Sequence, residues 1–448
     1  MTAHLTLRRG LPVAAAFAAA LALFAALVQH APLPATPLAP DLGAPVGSTA
    51  AQIARLSAAV RAAPRNASLL TQLAAADLQR VRETGDAGYY VRADGLLRRA
   101  RALAPRDPDV LAESASLAAS RHDFRGALAL ARAAFAAAPQ RLVAYPILVD
   151  ALVELGRYGA ADRALQRFVD AKPTLAAYAR VSYLRELHGD LRGAAAAMRL
   201  AVDAGGAAAE NVAYVQSQLG ALELQRGRLR AAAHAFRAAQ AAQPLSAPAA
   251  AGLARVAAAH GRLGLAVRRW RALVARLPLP EYVIGLGEAE LAAGRDGARD
   301  LALVGAEERL LNAAGVNTDA ELAVFEADHG DRARALTLAR RAWAAAPSVR
   351  SADALGWALT RAGHPHAGLA WAHRALRLGS VDPLLLEHAG LSALAVAGLR
   401  SSAVATMPRP SRAAAAAGAE GRRLLRAALA HGLAAYPWQA ARVREALR

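Results

Sequence analysis

In the stretch HGRLGLAVRRW, residues 260–270, a glycine follows a histidine, and an alanine and a tryptophan stand four residues apart. Residues four apart lie on one face of an α-helix, so Ala266 and Trp270 predict a packing face. Glycine takes the left-handed conformation that ends a helix more readily than other residues, which makes Gly261 a turn position. The basic residue before it, His260, favours the carboxyl end of a helix. The stretch therefore predicts the end of one helix, a tight turn and the start of a second helix.

The same arrangement returns along the chain at intervals of 33 to 38 residues. Each copy has a leading residue, usually alanine, then a further residue of the same helix face four positions later and another after three more. The nine leading residues are Ala93, Ala127, Ala161, Ala194, Ala232, Ala266, Arg299, Ala335 and Gly368. Prolines that cannot continue a helix close six copies, at Pro105, Pro139, Pro173, Pro244, Pro278 and Pro347. Self-similarity at this period indicates a repeat protein whose units pack on their neighbours.

Glycine occupies the position five residues before the leading residue in eight of the nine copies, and His122 takes its place in the second. The turn glycines are Gly88, Gly156, Gly189, Gly227, Gly261, Gly294, Gly330 and Gly363. We expect these glycines to adopt the left-handed conformation and to reverse the chain between two helices. A further glycine, twelve residues before the leading position in Leu219-Gly220, Leu286-Gly287 and Leu355-Gly356, allows a neighbouring helix to approach closely.

Helix, glycine turn, helix and proline stop, with small residues at the crossings, resemble tetratricopeptide repeats over about residues 51–400. The resemblance implies an all-α fold, a right-handed α-solenoid of about nine stacked helix-turn-helix repeats. Residues 52–63 resemble a lone second helix and are expected to cap the array. Two copies depart from the pattern, the first through an insertion around residues 82–92 and the seventh through Arg299, which stands where a small residue is expected.

The two ends of the chain lack the repeat. Arg8 and Arg9 precede an uncharged apolar run, residues 11–28, which predicts a signal peptide or a transmembrane anchor and leaves a buried core helix as an alternative. No clean cleavage site follows, and the basic flank places the rest of the chain outside the membrane, in a bacterial-type cell envelope. The predicted segments are the signal or anchor at 1–30, a proline-rich linker at 31–50, the repeat array at 51–400, a loop at 401–421 and capping helices at 422–448.

The composition restricts the chemistry. The 448 residues include no cysteine, which excludes disulfides, thiolate metal sites and cysteine nucleophiles. The net charge of +19 comes almost entirely from arginines that are spread along the helices. Two interpretations remain open for this charge, namely solvated helix faces and a surface that binds anionic polymers or membranes.

Motifs that carry catalysis or cofactors are missing from the sequence. It contains no phosphate-binding loop, HExxH, GxSxG or acidic calcium loop, so we expect a protein that is not an enzyme and holds no cofactor. One histidine cluster, His364, His366 and His373, is a weak candidate for a divalent metal, and a polar turn between repeats is the alternative.

The resemblance implies that the first helices of successive repeats form a concave surface that binds a protein or a peptide. At the groove-facing positions the sequence places Ser116, Asp150, Ser217, Arg255, Asp353 and Trp357. The lysine, arginine and asparagine positions that grasp a terminal carboxylate in the best-known arrays are absent, so we expect an extended, weakly charged ligand. The predicted function is a non-enzymatic scaffold of the cell envelope, with no nucleic acid as partner, and an arginine-rich module for anionic polymers or membranes is the alternative. The partner's identity and the oligomeric state stay open.

Overall fold

The computed structural model describes residues 49–205, 209–398 and 411–448, and the chain in these ranges is built from α-helices without a β-strand. The prediction of an all-α array of stacked helical hairpins is confirmed. The predicted signal or anchor at 1–30 and nearly all of the linker at 31–50 lie outside the described residues. Within the described ranges, no helix combines the length and the apolar character that a bilayer crossing requires.

Nine hairpins follow one another after a capping helix, α1 (Thr49–Ala62). Their first helices are α2 (Ala67–Thr84), α4 (Pro108–Ser120), α6 (Tyr145–Glu154), α8 (Leu175–Leu187), α10 (Ala209–Gln225), α12 (Ala247–Ala259), α14 (Pro280–Ala292), α17 (Asp319–His329) and α19 (Val349–Arg361). Their second helices are α3 (Gly88–Leu103), α5 (Phe124–Ala137), α7 (Tyr158–Ala171), α9 (Leu191–Asp203), α11 (Leu229–Ala242), α13 (Leu263–Val274), the pair α15 (Ala298–Leu301) and α16 (Val304–Ala313), α18 (Arg332–Ala345) and α20 (Pro365–Ala375). The chain ends with α21 (Pro383–Gly398), α22 (Arg412–Ala430), a 3₁₀ turn (Leu433–Ala435) and α23 (Pro437–Ala446).

Small residues hold the hairpins together. The seven leading alanines have no solvent-accessible surface: Ala93, Ala127, Ala161, Ala194, Ala232, Ala266 and Ala335. Large side chains from the second helices pack into spaces that glycines leave on the first helices, as the ring of Phe236 does against Gly220 and Gly252. A Cβ on Gly220 would lie 2.7 Å from that ring, so the glycine is required by packing. Each crossing therefore pairs a large residue of one helix with a small residue of another.

Most of the turn glycines have the left-handed conformation. Gly156, Gly189, Gly227, Gly261, Gly294 and Gly363 have φ between 68° and 89°, and His122 takes the same region with φ 59°. In the first hairpin the insertion supplies Gly85, with φ 70°, while Gly88 begins α3.

Gly330 differs from the prediction, because its φ is −128° and the backbone is extended. A Cβ at this position would overlap the Glu326 carboxylate, which accepts a hydrogen bond of 2.8 Å from the Asp331 N–H. Glycine is needed at this turn for its size, and the left-handed region is not used.

The seventh hairpin and the predicted loop also differ from the regular pattern. Arg299 is exposed, so the helix crossing moves to Gly297, which packs against Gly287, and the second helix is interrupted between α15 and α16. Residues 412–421 of the predicted loop belong to α22, which Ser411 caps by accepting from the Ala414 N–H at 3.2 Å. The close approach of Gly421 to Gly390 packs α22 on α21 as a tenth hairpin, a contact that the alanine-rich sequence alone does not reveal.

The array winds until hairpins five places apart touch. In the first hairpin, a Cβ on Gly85 would lie 2.6 Å from Leu277, which follows the sixth hairpin. In the second hairpin, the Arg121 carbonyl oxygen accepts a hydrogen bond of 3.0 Å from the N–H of Asn317, which follows the seventh hairpin. A Cβ on Gly156 in the third would overlap the Pro347 carbonyl oxygen.

The same offset holds for the next two hairpins. A Cβ on Gly189 in the fourth would overlap the Gly379 carbonyl oxygen, and a Cβ on Gly432, after the tenth hairpin, would lie 2.6 Å from the Leu224 carbonyl oxygen in the fifth. Each turn thus meets the linker that closes the hairpin five places on, so the superhelix encloses an interior.

Candidate ligand-binding lumen

The interior contains three adjoining cavities of about 140, 210 and 470 Å³. The smallest and the middle cavity share Glu321, and the smallest and the largest share Arg350. We call the connected space the lumen, and residues that line it are Glu154, Ser217, Arg255, Glu281, Glu321, Arg350 and Tyr436. The first helices of the hairpins contribute most of these residues, as expected for the inner face of such an array.

The walls of the lumen come from distant parts of the chain. The largest cavity is lined by α10, α12, α14, α19 and α21, by Phe236 of α11, and by Gly432 and Tyr436 before α23. The Val349 N–H, at the start of α19, donates to the Tyr158 hydroxyl of α7 at 2.8 Å, which closes the wall across a separation of 191 residues. Glu281, Glu321 and Arg350 are exposed to solvent although protein surrounds the space, which is the behaviour of residues in a water-accessible channel.

Carboxylates are the main charged groups of the lumen. Glu154, Glu281 and Glu321 line it, and Glu186 and Asp382 adjoin it. Glu186 accepts a hydrogen bond of 2.7 Å from Gln225, a residue of the largest cavity. Asp382 precedes Pro383, which also lines that cavity, and accepts from the Leu384 N–H at 2.9 Å. Among the described residues, none of the five has a basic group within ion-pair distance.

The surroundings change the acidity of these groups. Desolvation by the protein that surrounds the lumen raises the pKa of Glu281, and the neighbouring Glu321 carboxylate adds to the effect, whereas Arg255 opposes it. Burial likewise raises the pKa of Glu186, with a further contribution from Asp382. The lumen therefore holds carboxylates whose negative charge is poorly compensated.

Two guanidinium groups lie among the carboxylates and are held by aromatic rings. Arg350 lies over the Tyr183 ring at 5.8 Å, and the phenol of Tyr183 is the main cause of a raised pKa of Arg350. Arg255 lies between two rings, 5.7 Å from Trp270 and 5.1 Å from Tyr436. Cation–π contacts of this kind fix the guanidinium planes and keep both charges at the wall.

The last segment of the chain forms part of the lumen wall through a cluster that we call the C-terminal clamp: Asp328, Trp357, Glu387, Trp438 and Arg442. The Arg442 guanidinium donates to Asp328 at 2.6 Å and to Glu387 at 2.9 Å. It also stacks over Trp357 and Trp438, at 5.0 and 4.5 Å. Burial raises the pKa of Glu387 to about 7, against the lowering effect of Arg442. The clamp thereby ties α23 to three first helices, α17, α19 and α21.

A histidine packs against the C-terminal clamp. His388 Nδ1 lies 2.9 Å from the Asp353 carboxylate, and its ring stacks on Trp357 at 4.7 Å. Burial lowers the pKa of His388, but the Asp353 carboxylate outweighs burial and raises it to about 9. At neutral pH this histidine carries its proton and forms a buried ion pair.

The groove positions expected from the sequence are not brought together at one site. Ser217 and Arg255 line the lumen. Asp150 is paired with Arg180 at 2.5 Å, and Ser116 is half-buried and lines none of the three cavities. Asp353 and Trp357 are covered by the helices that follow them, with 6% and 2% of their surface exposed.

The histidine cluster does not form a metal site. His364, His366 and His373 are exposed, and His373 lies 2.8 Å from the Glu420 carboxylate. Across the ranges that the structure describes, no three histidine, aspartate or glutamate side chains are arranged to hold a metal ion.

Two lumen residues that the sequence analysis did not predict, Glu281 and Arg350, follow the same repeat. The predicted groove positions lie eleven and fifteen residues before the leading residue, whereas Glu281 and Arg350 stand eighteen residues before it. The offsets of eleven, fifteen and eighteen form one helical stripe, since they differ by four and three residues. Extending the stripe by one turn toward the amino end of the first helix would have found both residues.

No protein-family model matches the chain, and no curated protein shows significant similarity to it. The chain is similar to TTC0263, a tetratricopeptide repeat protein of Thermus thermophilus, with 23% identity, a TM-score of 0.37 and coverage of 42% of this chain and 99% of that one. Human IFIT1, in a dimer with m7Gppp-AAAA, has 14% identity and a TM-score of 0.46 over 74% of this chain and 78% of that one. A tetratricopeptide repeat protein of Parabacteroides merdae has 13% identity and a TM-score of 0.34 over 64% and 98%.

Proposed function

We propose that this tetratricopeptide-type array is a non-enzymatic interaction module that binds an extended segment of another protein inside its lumen. The observation that supports the proposal is the position of the largest cavity, which is lined by five first helices. Its volume of about 470 Å³ is in the range of sites that take small ligands or a few side chains. A folded domain does not fit such a space, whereas an extended peptide does.

Site-specific photo-crosslinking tests this proposal. The photoreactive amino acid p-benzoylphenylalanine is introduced at Glu321, which lines the lumen, and at Asp162, which is exposed on the second helix α7. We expect a defined peptide adduct from position 321, identified by mass spectrometry in cells of the native host, and none from position 162. Adducts that form only from the exterior position would contradict the proposal.

We also propose that the protein works in the cell envelope, outside the cytoplasmic membrane. The support is the apolar run at 11–28 behind Arg8 and Arg9, which has the pattern of an export signal or anchor. Alkaline phosphatase fused after Arg448 is active only outside the cytoplasm. An active fusion that loses activity when residues 1–30 are deleted is the expected result, and an inactive fusion of the full chain would overturn the location.

The alternative function, binding of an anionic polymer or membrane surface, has one observation in its favour. Many exposed arginines of the second helices have no ion pair among the described residues, including Arg132, Arg163, Arg167, Arg192, Arg230, Arg237 and Arg268. Binding through them must weaken steeply as salt rises. A heparin or anionic-vesicle titration between low and physiological salt, repeated with R163Q/R167Q, decides this alternative, and salt-insensitive binding would remove it.

A further inference from the structure

We infer that the lumen selects a positively charged ligand, namely an extended peptide segment that carries lysine or arginine side chains. This inference rests on the proposed function and adds the chemical class of the partner. It differs from the expectation of a weakly charged ligand, because the carboxylates that line the lumen lie outside the six groove positions predicted from the sequence.

The charge balance of the lumen is the first observation. Glu154, Glu281 and Glu321 line the lumen without an ion pair among the described residues, and Glu186 and Asp382 adjoin it. The guanidinium groups that line it are Arg255 and Arg350, while Glu288, Asp328 and His388 are paired with His329, Arg442 and Asp353. The chain as a whole carries an excess of 19 positive charges, so a local excess of acid inside it is not a consequence of composition. A cation in this space gains attraction that the exterior of the protein does not offer.

The pairing of carboxylates elsewhere in the chain is the second observation. Several buried carboxylates outside the lumen have arginine partners, as Glu290 has Arg271 and Glu308 has Arg334. Asp77, also buried, is paired with Arg92 at 2.6 Å. Arginine is abundant enough to have supplied such partners in the lumen as well. The lumen carboxylates remain without arginine partners, and Glu154, Glu186 and Asp382 accept hydrogen bonds from neutral groups instead, namely the Tyr183 hydroxyl, the Gln225 amide and the Leu384 N–H. Their negative charge is therefore available to a cationic ligand.

Unsatisfied polar atoms at the lumen wall are the third and independent observation. Ser217 is 5% exposed and lines the largest cavity, and its hydroxyl has no hydrogen-bond partner among the described residues. In the same part of the chain, the amide oxygens of Gln225, in the same cavity, and of Gln439, in the middle cavity, also lack a partner. Buried polar groups without partners are rare and costly in folded proteins. The oxygens accept hydrogen bonds, and ammonium and guanidinium groups bring three and five donors.

The aromatic lining shows that the wall accommodates a guanidinium. Arg255 is held between Trp270 and Tyr436 without an ion pair among the described residues. A ligand arginine or lysine chain can extend past this position toward Glu281 and Glu321, two carboxylates of the middle cavity that have no ion pair among the described residues. The paired charges of the C-terminal clamp take no part, since Asp328 and Glu387 are already bound by Arg442.

A binding experiment with defined peptides tests the inference. A fluorescein-labelled peptide of alternating lysine and alanine is titrated with the full chain at physiological salt, and fluorescence anisotropy reports the Kd. We expect the E281Q/E321Q variant to bind about tenfold more weakly, because it loses two charges in a partly desolvated site. The matched control is D162N/D203N, which removes two charges from exposed residues of second helices. Circular dichroism verifies that both variants are folded.

The outcomes separate the inference from the proposed function. Equal weakening by E281Q/E321Q and D162N/D203N, or tighter binding of an alternating glutamate and alanine peptide, overturns the inference. If a neutral peptide binds and protects position 321 from crosslinking as well as the lysine peptide does, the lumen binds peptides and its charge preference is wrong. If no peptide of any charge occupies the lumen, the proposed function fails too. Spermidine is added as a competitor at an equal concentration of positive charge. If it displaces the peptide, the lumen binds free amines, and the inference that a peptide occupies it is overturned.

Discussion

The guanidinium of Arg442 lies 2.6 Å from the carboxylate of Asp328, a residue 114 positions earlier in the chain. The same guanidinium reaches Glu387, so one arginine of the last helix joins two carboxylates of different hairpins. A contact of this length in sequence is unusual for a linear repeat array, in which each unit touches its neighbours. It shows that the chain end closes the array and contributes a wall to the lumen.

Substitution of Arg442 tests the clamp. R442A leaves Asp328 and Glu387 buried without a counter-charge, and breaking a buried pair in this way costs about 3–5 kcal/mol. We expect urea to unfold the last hairpins at a lower concentration at pH 8, and hydrogen exchange to rise in α21 and α23. R444A, which removes an exposed arginine of the same helix, is the control and should change the unfolding free energy by less than about 0.5 kcal/mol. Identical behaviour of the two variants would show that the clamp does not stabilise the end of the array.

The ion pair of His388 and Asp353 predicts a dependence of stability on pH. The pKa of His388 is raised from 6.5 to about 9, so the folded state binds this proton more tightly than the unfolded state does. The contribution is complete below pH 6.5 and is lost as the pH rises through about 9. Glu387, with a pKa raised to about 7, acts in the same direction at lower pH.

Thermal unfolding between pH 6.5 and 9.5 measures this effect. We expect the Tm of the wild-type protein to fall over the range and that of H388Q to fall less, with H364Q, an exposed histidine, behaving as the wild type. Equal slopes for the wild type and H388Q would mean that His388 is neutral in the folded protein.

Alanine substitutions at two glycines of the same conformation distinguish the cost of backbone strain from the cost of losing the contact between hairpins five places apart. Gly156 and Gly261 have φ of 68° and 72°, so alanine at either position costs about 1–2 kcal/mol. A Cβ on Gly261 meets open space, whereas one on Gly156 overlaps the Pro347 carbonyl oxygen. We expect G156A to be more destabilising than G261A by about 1–3 kcal/mol, with faster hydrogen exchange at the start of α19. Equal destabilisation would mean that the contact across five hairpins contributes nothing to stability.

Alanine substitutions at two glycines within helices should change the free energy of unfolding in opposite directions. A Cβ on Gly252 would overlap the Phe236 ring, whereas one on Gly95 has nothing within 4 Å. G252A should therefore cost about 1–3 kcal/mol, and G95A should stabilise the protein by about 0.5–1 kcal/mol. Urea unfolding measures both, and the double variant G252A/F236L should recover part of the loss because the smaller side chain frees the space. A lack of recovery would place the cause elsewhere than in the Phe236 contact.

The local features of the fold could be predicted because they depend on residues close together in sequence. The alanine column marked the helix crossings, and six of the predicted turn glycines have positive φ. Gly330 does not have the predicted left-handed conformation, and the Glu326 carboxylate, four residues earlier, occupies the space beside it. Residues 412–421 were predicted as a loop because a run of alanines shows no apolar period. They form a helix that packs where Gly421 contacts Gly390.

The sequence by itself determined the hairpin, its period and the small residues at each crossing, since helix periodicity, glycine turns and proline stops act over fewer than about forty residues. Only the tertiary structure decided that the Asn317 N–H meets the Arg121 carbonyl, that Glu281 and Arg350 face one enclosed space, and that Arg442 reaches Asp328. These contacts depend on the small rotation from each hairpin to the next, which accumulates over five units. The sequence of a single repeat does not reveal this accumulated rotation. The side chains that give the lumen its charge are therefore brought together only by the tertiary structure.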